Sequence, residues 1–326
     1  MTKLILTSVS LVFFFFSAAA QQQQQPANSK ITAPKVDHHQ HLFSPAMAEF
    51  QKIQPIFAKD VIALLDAAGI EKAVLLSTAY AYGRPGREPQ NEYEMVKDEN
   101  DWNALQAAQH PERLTAFCSF NPLKDYALAE LDRCSKDPKF GKGIKLHIGN
   151  SDVQVSDPGH LEKLKAVFKA ANERRMAIVM HYRASFSKER PYGAEQARVL
   201  VEELLPLAQD VVVQIAHLGS SGPGYDDPKA DALVDFLVDA IAKKDKRMRN
   251  VWFDLTTNIH PSNSPERAAM ALKRIRQIGP ERVLYGSDAA LSGNQPPNQA
   301  WAEIMKLGLT EKELKTIASN RAPYLR

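Results

Sequence analysis

Eight short runs rich in β-branched and apolar residues recur along the chain at intervals of about one βα unit, and segments of helical apolar period fill the gaps. The runs read as strands over residues 35–41, 72–79, 114–121, 143–148, 177–182, 211–218, 250–257 and 282–288. Among the helices between them, residues 58–68 turn Val61, Ile62, Leu64 and Leu65 inward, 161–175 do so with Leu164, Val167 and Phe168, and 230–244 with Leu233, Phe236 and Ile241. Alternation of this kind commits the backbone to a parallel sheet with right-handed crossovers. An open doubly wound sheet would carry a glycine-rich phosphate turn after its first strand, but His39, Gln40 and His41 hold that place. The expected fold is therefore α/β, a closed (β/α)8 TIM barrel.

Ahead of the barrel, Lys3 precedes an apolar run from Leu4 through Phe16 that closes on Ala18, Ala19 and Ala20. This reads as a secretory signal peptide over residues 1–20, because the run is shorter than the ~20 apolar residues that a membrane span needs. No cysteine follows the small residues, so no lipid anchor is indicated. Residues 21–30, with Gln21 through Gln25, form a polar low-complexity linker. Residues 31–326 have a length that suits one barrel domain. The expected location is outside the cytoplasm, periplasmic or secreted. The formal charge of +3 falls by one when Lys3 leaves, and Lys and Arg are scattered, so neither nucleic acid nor, after cleavage, a membrane is an expected partner. Of the two cysteines, Cys118 lies on a strand and Cys134 on a helix. Export permits a disulfide, yet such a pair is expected as two buried thiols.

The chemistry is concentrated at strand ends. Asp37, His39 and His41 alternate along the first strand, so a side-chain period of two sends all three to one face and His38 to the other. Two imidazoles side by side in a dry barrel leave ring nitrogens unpaired unless an ion takes them. His181 ends the fifth strand, His217 nearly ends the sixth, and Asp288 ends the eighth. In a barrel these ends share one rim. Lys145 and His147 have the inward parity on the fourth strand, and Arg183, two residues beyond His181, is placed to grip a substrate carboxylate. The long loop from Tyr80 to about Glu99, with Tyr82 and Arg84, is expected to cover the site.

Taken in order, Asp37-x-His39-x-His41, His181, His217, Gly286-Ser287-Asp288 and the closing Ile317-Ala318-Ser319-Asn320-Arg321-Ala322 resemble the amidohydrolase superfamily, and within it the amidohydrolase-related branch that includes aromatic-acid decarboxylases and lactonases. The resemblance implies that His39, His41 and His181 hold a divalent ion, with Asp288 as a further ligand or as the base beside its water, and His217 near the substrate. Zn2+ suits such a ligand set, and Mn2+ is not excluded by it. Lys145 and His147 are read in two ways: as a substrate-facing or structural pair beside one metal, which is favoured here, or with Lys145 carboxylated and bridging two metals. The expected activity is hydrolysis of a small lactone, ester or amide by a metal-bound hydroxide, with Asp288 moving the proton and His217 steadying the oxyanion. The alternatives are a nonoxidative decarboxylase of an aromatic or unsaturated acid, and a secreted binding module without catalysis. Relatives commonly form homodimers, although no residue here shows it.

Overall fold

The computed structural model describes residues 32–291 and 293–325. The expected signal peptide and linker lie outside the described residues. From there on, eight parallel strands follow one another around a barrel in chain order. They are β1 (Val36–Gln40), β2 (Lys72–Leu76), β3 (Leu114–Ser119), β4 (Gly143–His147), β5 (Ala177–His181), β6 (Val213–Ile215), β7 (Val251–Asp254) and β8 (Val283–Leu284). The ring closes where His38 N donates to Tyr285 O at 2.9 Å and Asp288 N to His39 O at 2.8 Å.

The parity of the strands sorts their side chains. Val74, Leu76, Phe117, Ala177 and Val179 form a small cluster with Val212, against which Trp252, Tyr324 and Leu325 pack. Their neighbours Ala73, Leu75, Ala116, Ile178 and Met180 belong to the large core shared with the helices. The first set lines the barrel, so Lys145 and His147 on β4 and His181 on β5 continue its inward parity toward the C-terminal rim.

The helices start where capping chemistry predicts. Asp157, Asp227 and Ser264 accept backbone N–H groups at the heads of Pro158–Glu173, Pro228–Ala242 and Pro265–Ile278, each with proline in its first turn. Helix Ala58–Ala68 has the bounds read from the sequence and ends on Gly69 in the left-handed region. The segment expected as a cover loop is shorter than anticipated, because a helix begins at Glu92 and runs to Ala108.

Three expectations are corrected. The sixth and eighth strands are shorter than their apolar runs, and both His217 (φ 55°) and Asp288 (φ 54°) sit on left-handed backbone beyond the strand ends. The hydrogen bonds from His217 N to Asp254 Oδ1 (2.8 Å) and from Asp288 N to His39 O hold these turns. Cys118 and Cys134 are not two thiols but a disulfide that ties β3 to helix Ala127–Lys136.

Candidate metal centre

β1 brings His39 and His41 to the rim with ring centroids 5.2 Å apart, and the turn after β8 carries Asp288 to meet them. One ligand atom from each of the three lies within 4.8 Å of the others, and all three side chains are buried. Their hydrogen bonds decide which atoms face the centre. His41 Nδ1 is 2.6 Å from Leu76 O, a carbonyl that only accepts, so Nδ1 holds the proton and Nε2 offers a lone pair. His39 Nδ1 donates likewise to Asp254 Oδ2 at 3.2 Å.

His41 Nε2 then faces Asp288 Oδ1 at 3.3 Å, and that buried oxygen has no hydrogen-bond partner among the described residues. Two acceptors at this distance repel unless a proton or a cation lies between them. Burial, followed by Lys145, lowers the His39 and His41 imidazoles to about 3, so both rings are neutral and able to coordinate. Burial drives the Asp288 carboxyl upward, with the Asp254 and Asp37 charges adding to the rise and Lys145 and the Asn294 side chain opposing it. Two neutral imidazole nitrogens and a carboxylate oxygen form a donor set that fits Zn2+ or Mn2+.

The other expected site residues lie around this triad. His217 is next to it, its ring 4.8 Å from that of His39, with Nδ1 3.1 Å from Thr256 O. His181 stands outside the triad: its ring is 4.9 Å from that of His217, and its Nε2 is 3.0 Å from Ser221 Oγ. The pairing of His147 with His181 across β4 and β5 stacks their rings at 3.9 Å, and Tyr80 covers His147 at 4.9 Å. Lys145 is buried with Nζ 3.2 Å from His39 Nε2, and burial lowers its ammonium despite Asp254 and Asp288 nearby.

Two residues have partners other than those expected. Asp37 does not join the histidines. It accepts from Gln40 Nε2 (2.9 Å), Ser287 N (3.0 Å) and Ser287 Oγ, and so seals the β1–β8 seam beneath Asp288. Arg183 Nε is paired with Asp227, and its guanidinium lies 3.8 Å from the Phe186 ring and 4.5 Å from the Tyr192 ring. The fork expected to grip a substrate is thus engaged within the protein. His38 points away as expected, between Tyr285 O and Ala322 N.

Sequence reasoning overlooked Asp254. Fully buried at the end of β7, it accepts from His39 Nδ1, Gln214 Nε2 (2.7 Å), His217 N (2.8 Å) and Thr256 N (3.2 Å). Burial alone would raise its carboxyl, but His39, His217 and the Thr256 hydrogen bond outweigh that and hold it well below the usual range. It fixes the tautomer of His39 and the turn bearing His217, as carboxylates behind metal-bound histidines do. The signal was present in the sequence: Asp254 stands two residues beyond Trp252 on the seventh strand and so shares its parity, which the structure turns toward the barrel lining.

The architecture is shared with solved structures. The chain aligns with a 2,6-dihydroxybenzoate decarboxylase from Rhizobium at TM-score 0.60 and 17% identity, covering 88% of this chain and 97% of that one. A 5-carboxyvanillate decarboxylase from Novosphingobium aromaticivorans, with bound manganese, gives 0.63 and 13% over 88% and 95%. A probable 2-pyrone-4,6-dicarboxylic acid hydrolase from Acinetobacter baumannii, with citric acid bound, gives 0.55 and 18% over 86% and 95%. No curated protein matches by sequence. At these identities the likeness speaks for the fold alone. The sequence model of the amidohydrolase family, however, matches residues 36–320, from the first barrel strand to the closing motif, and the chain belongs to that family of metal-dependent enzymes.

Proposed function

We propose that this enzyme is an exported hydrolase of a small lactone, ester or amide, with one divalent ion held by His39, His41 and Asp288 and with His181 outside that ligand set. The observation that carries the reading is the pair of buried acceptors, His41 Nε2 and Asp288 Oδ1, facing each other at 3.3 Å, with His39 Nε2, which faces Lys145 Nζ at 3.2 Å, as the third donor atom. Zn2+ or Mn2+, when bound, supplies Lewis acidity that polarises an oxygen and makes a held water easier to ionise. Asp288, its carboxyl raised by burial, takes the proton from the attacking water and passes it to the leaving group.

The role expected of His217 changes. With Nδ1 facing Thr256 O and the ring lowered to about 3 by burial and by His39, it is neutral and presents Nε2 as an acceptor. It orients a hydroxyl or water and does not donate to an oxyanion. The positive charge available for an oxyanion is the Lys145 ammonium. With Arg183 engaged by Asp227, an uncharged substrate carbonyl suits the site better than a free carboxylate. The leader read over residues 1–20 and the Cys118–Cys134 bridge together support export.

Nonoxidative decarboxylation is the second reading. It is favoured by Lys145, an ammonium buried beside the triad that offers a counter-charge to a substrate carboxylate, and by the decarboxylases that share the fold. In it, protonated Asp288 delivers a proton to the ring carbon. Incubating the mature protein, loaded with Zn2+ or Mn2+, with a panel of lactones, esters, amides and aromatic acids separates the two. Ring-opened or cleaved products without carbon dioxide support hydrolysis, carbon dioxide from an aromatic acid supports the second reading, and tight ligand binding without turnover contradicts both.

A further inference from the structure

We propose that Tyr324, in the closing turn Pro323–Leu325 at the opposite end of the barrel, is a positioning residue for the metal centre, acting through Gln214 and Asp254 on His39. The inference rests on the reading that His39 is a ligand. Tyr324 Oη donates to Gln214 Oε1 at 2.6 Å, Gln214 Nε2 donates to Asp254 Oδ2 at 2.7 Å, and the same Oδ2 accepts His39 Nδ1 at 3.2 Å. Gln214 and Asp254 are both fully buried, so the bonds between Gln214, Asp254 and His39 are shielded from solvent.

The chain of bonds has one workable direction. Asp254 accepts only, so Gln214 must turn its NH2 toward it and its carbonyl toward the phenol, which can donate. Turned over, the amide would set Oε1 against Oδ2 and remove a donor from the carboxylate that steers His39. Tyr324 therefore locks the amide, and the amide fixes the oxygen that holds His39 Nδ1. The turn that carries Tyr324 is itself held to β1, since Ala322 N donates to His38 Nε2 at 3.2 Å, and the Tyr324 ring packs edge-on against Phe117 at 5.0 Å. The last turn of the chain thus reaches the metal ligand through the barrel axis and not through the outer helices.

The test is Mn2+ binding by the metal-free mature protein, followed by electron paramagnetic resonance of free Mn2+. Tyr324→Phe keeps the ring and removes the hydroxyl, and it is expected to weaken Mn2+ binding about fivefold, the effect of one neutral hydrogen bond. Asp254→Asn is expected to weaken it about 10- to 100-fold. Because Tyr324 acts only through Asp254, the double variant should bind no more weakly than Asp254→Asn alone, which a general loss of stability would not produce. Mn2+ binding by Tyr324→Phe equal to wild type, or additive losses in the double variant, would overturn the proposal. Should Tyr324→Phe fail to fold, Gln214→Leu cuts the same link and carries the same two outcomes. A wild-type protein that takes up no Mn2+ would instead refute the ligand role of His39 on which the inference stands.

Discussion

Replacing Gly286 by alanine probes the geometry of the site without changing a ligand residue. A Cβ there would stand 2.8 Å from His39 Cβ and 3.5 Å from His39 N, and closer still to Thr256 Oγ1. Gly286 is not in the left-handed region, so the cost is one of space and not of backbone strain. Thr256 cannot yield freely, since rotating a β-branched side chain exchanges its hydroxyl for a methyl. His39 Cβ is fixed to β1, so β1 must move away from β8 by several tenths of an ångström. Overpacking of this kind costs about 1–3 kcal/mol. The same displacement carries His39 Nε2 away from Asp288, and a loss of about 10- to 100-fold in metal affinity is expected, as for other disturbances of the groups behind a ligand. Urea unfolding of the metal-free variant and titration with Mn2+ measure the two effects separately. If Gly286→Ala unfolds within about 0.5 kcal/mol of wild type and binds Mn2+ equally well, the close packing of β1, β7 and β8 does not set the ligand geometry and the reasoning fails.

Asp288→Asn should lower turnover by about 100- to 10,000-fold, while the metal-free variant is no less stable than wild type, because burial already disfavours the charge; a metal-free variant that melts well below wild type would refute this. Glu99, buried against Ser44 and Asn103, is raised by burial from 4.5 to about 7, so the folded protein holds this proton more tightly than the unfolded chain. Its contribution is fully present below pH 4.5 and is lost as the pH rises through about 7, a fall of about 3 kcal/mol at most. Glu99→Gln should flatten that slope in urea unfolding at pH 5 to 8, and parallel curves would count against the assignment. Removing the Cys118–Cys134 bridge, whose partners are 16 residues apart, should cost about 3 kcal/mol through the freed unfolded chain. Comparing Cys118→Ala/Cys134→Ala with oxidised wild type by thermal unfolding checks this, and equal melting would show that the bridge contributes nothing.

The barrel was legible because each of its eight strands announces itself by an apolar run, and because parity along a strand needs no tertiary knowledge. His39 and His41 were found that way, and the inward placement of Lys145 and His147 as well. The runs at residues 211–218 and 282–288 misled for a physical reason: apolarity marks burial, and buried turns such as those at His217 and Asp288 are as apolar as strands. Arg183 could not be resolved from its surroundings in sequence, since its partner Asp227 lies in the next βα unit, capping a different helix. The bridge likewise depends on how helix Ala127–Lys136 docks on β3, which no local pattern encodes. Asp254 was within reach: a carboxylate on the inward parity of a barrel strand is costly unless something demands it, and here His39, Gln214 and His217 do.

The most direct test of the account is a crystal structure of the protein soaked in Mn2+, with anomalous scattering used to locate the ion. The account predicts one ion bound by His39 Nε2, His41 Nε2 and a carboxylate oxygen of Asp288, with His39 Nδ1 still on Asp254 and an unmodified Lys145. An ion bound elsewhere, no ion at saturating Mn2+, or two ions bridged by a carboxylated Lys145 would contradict it.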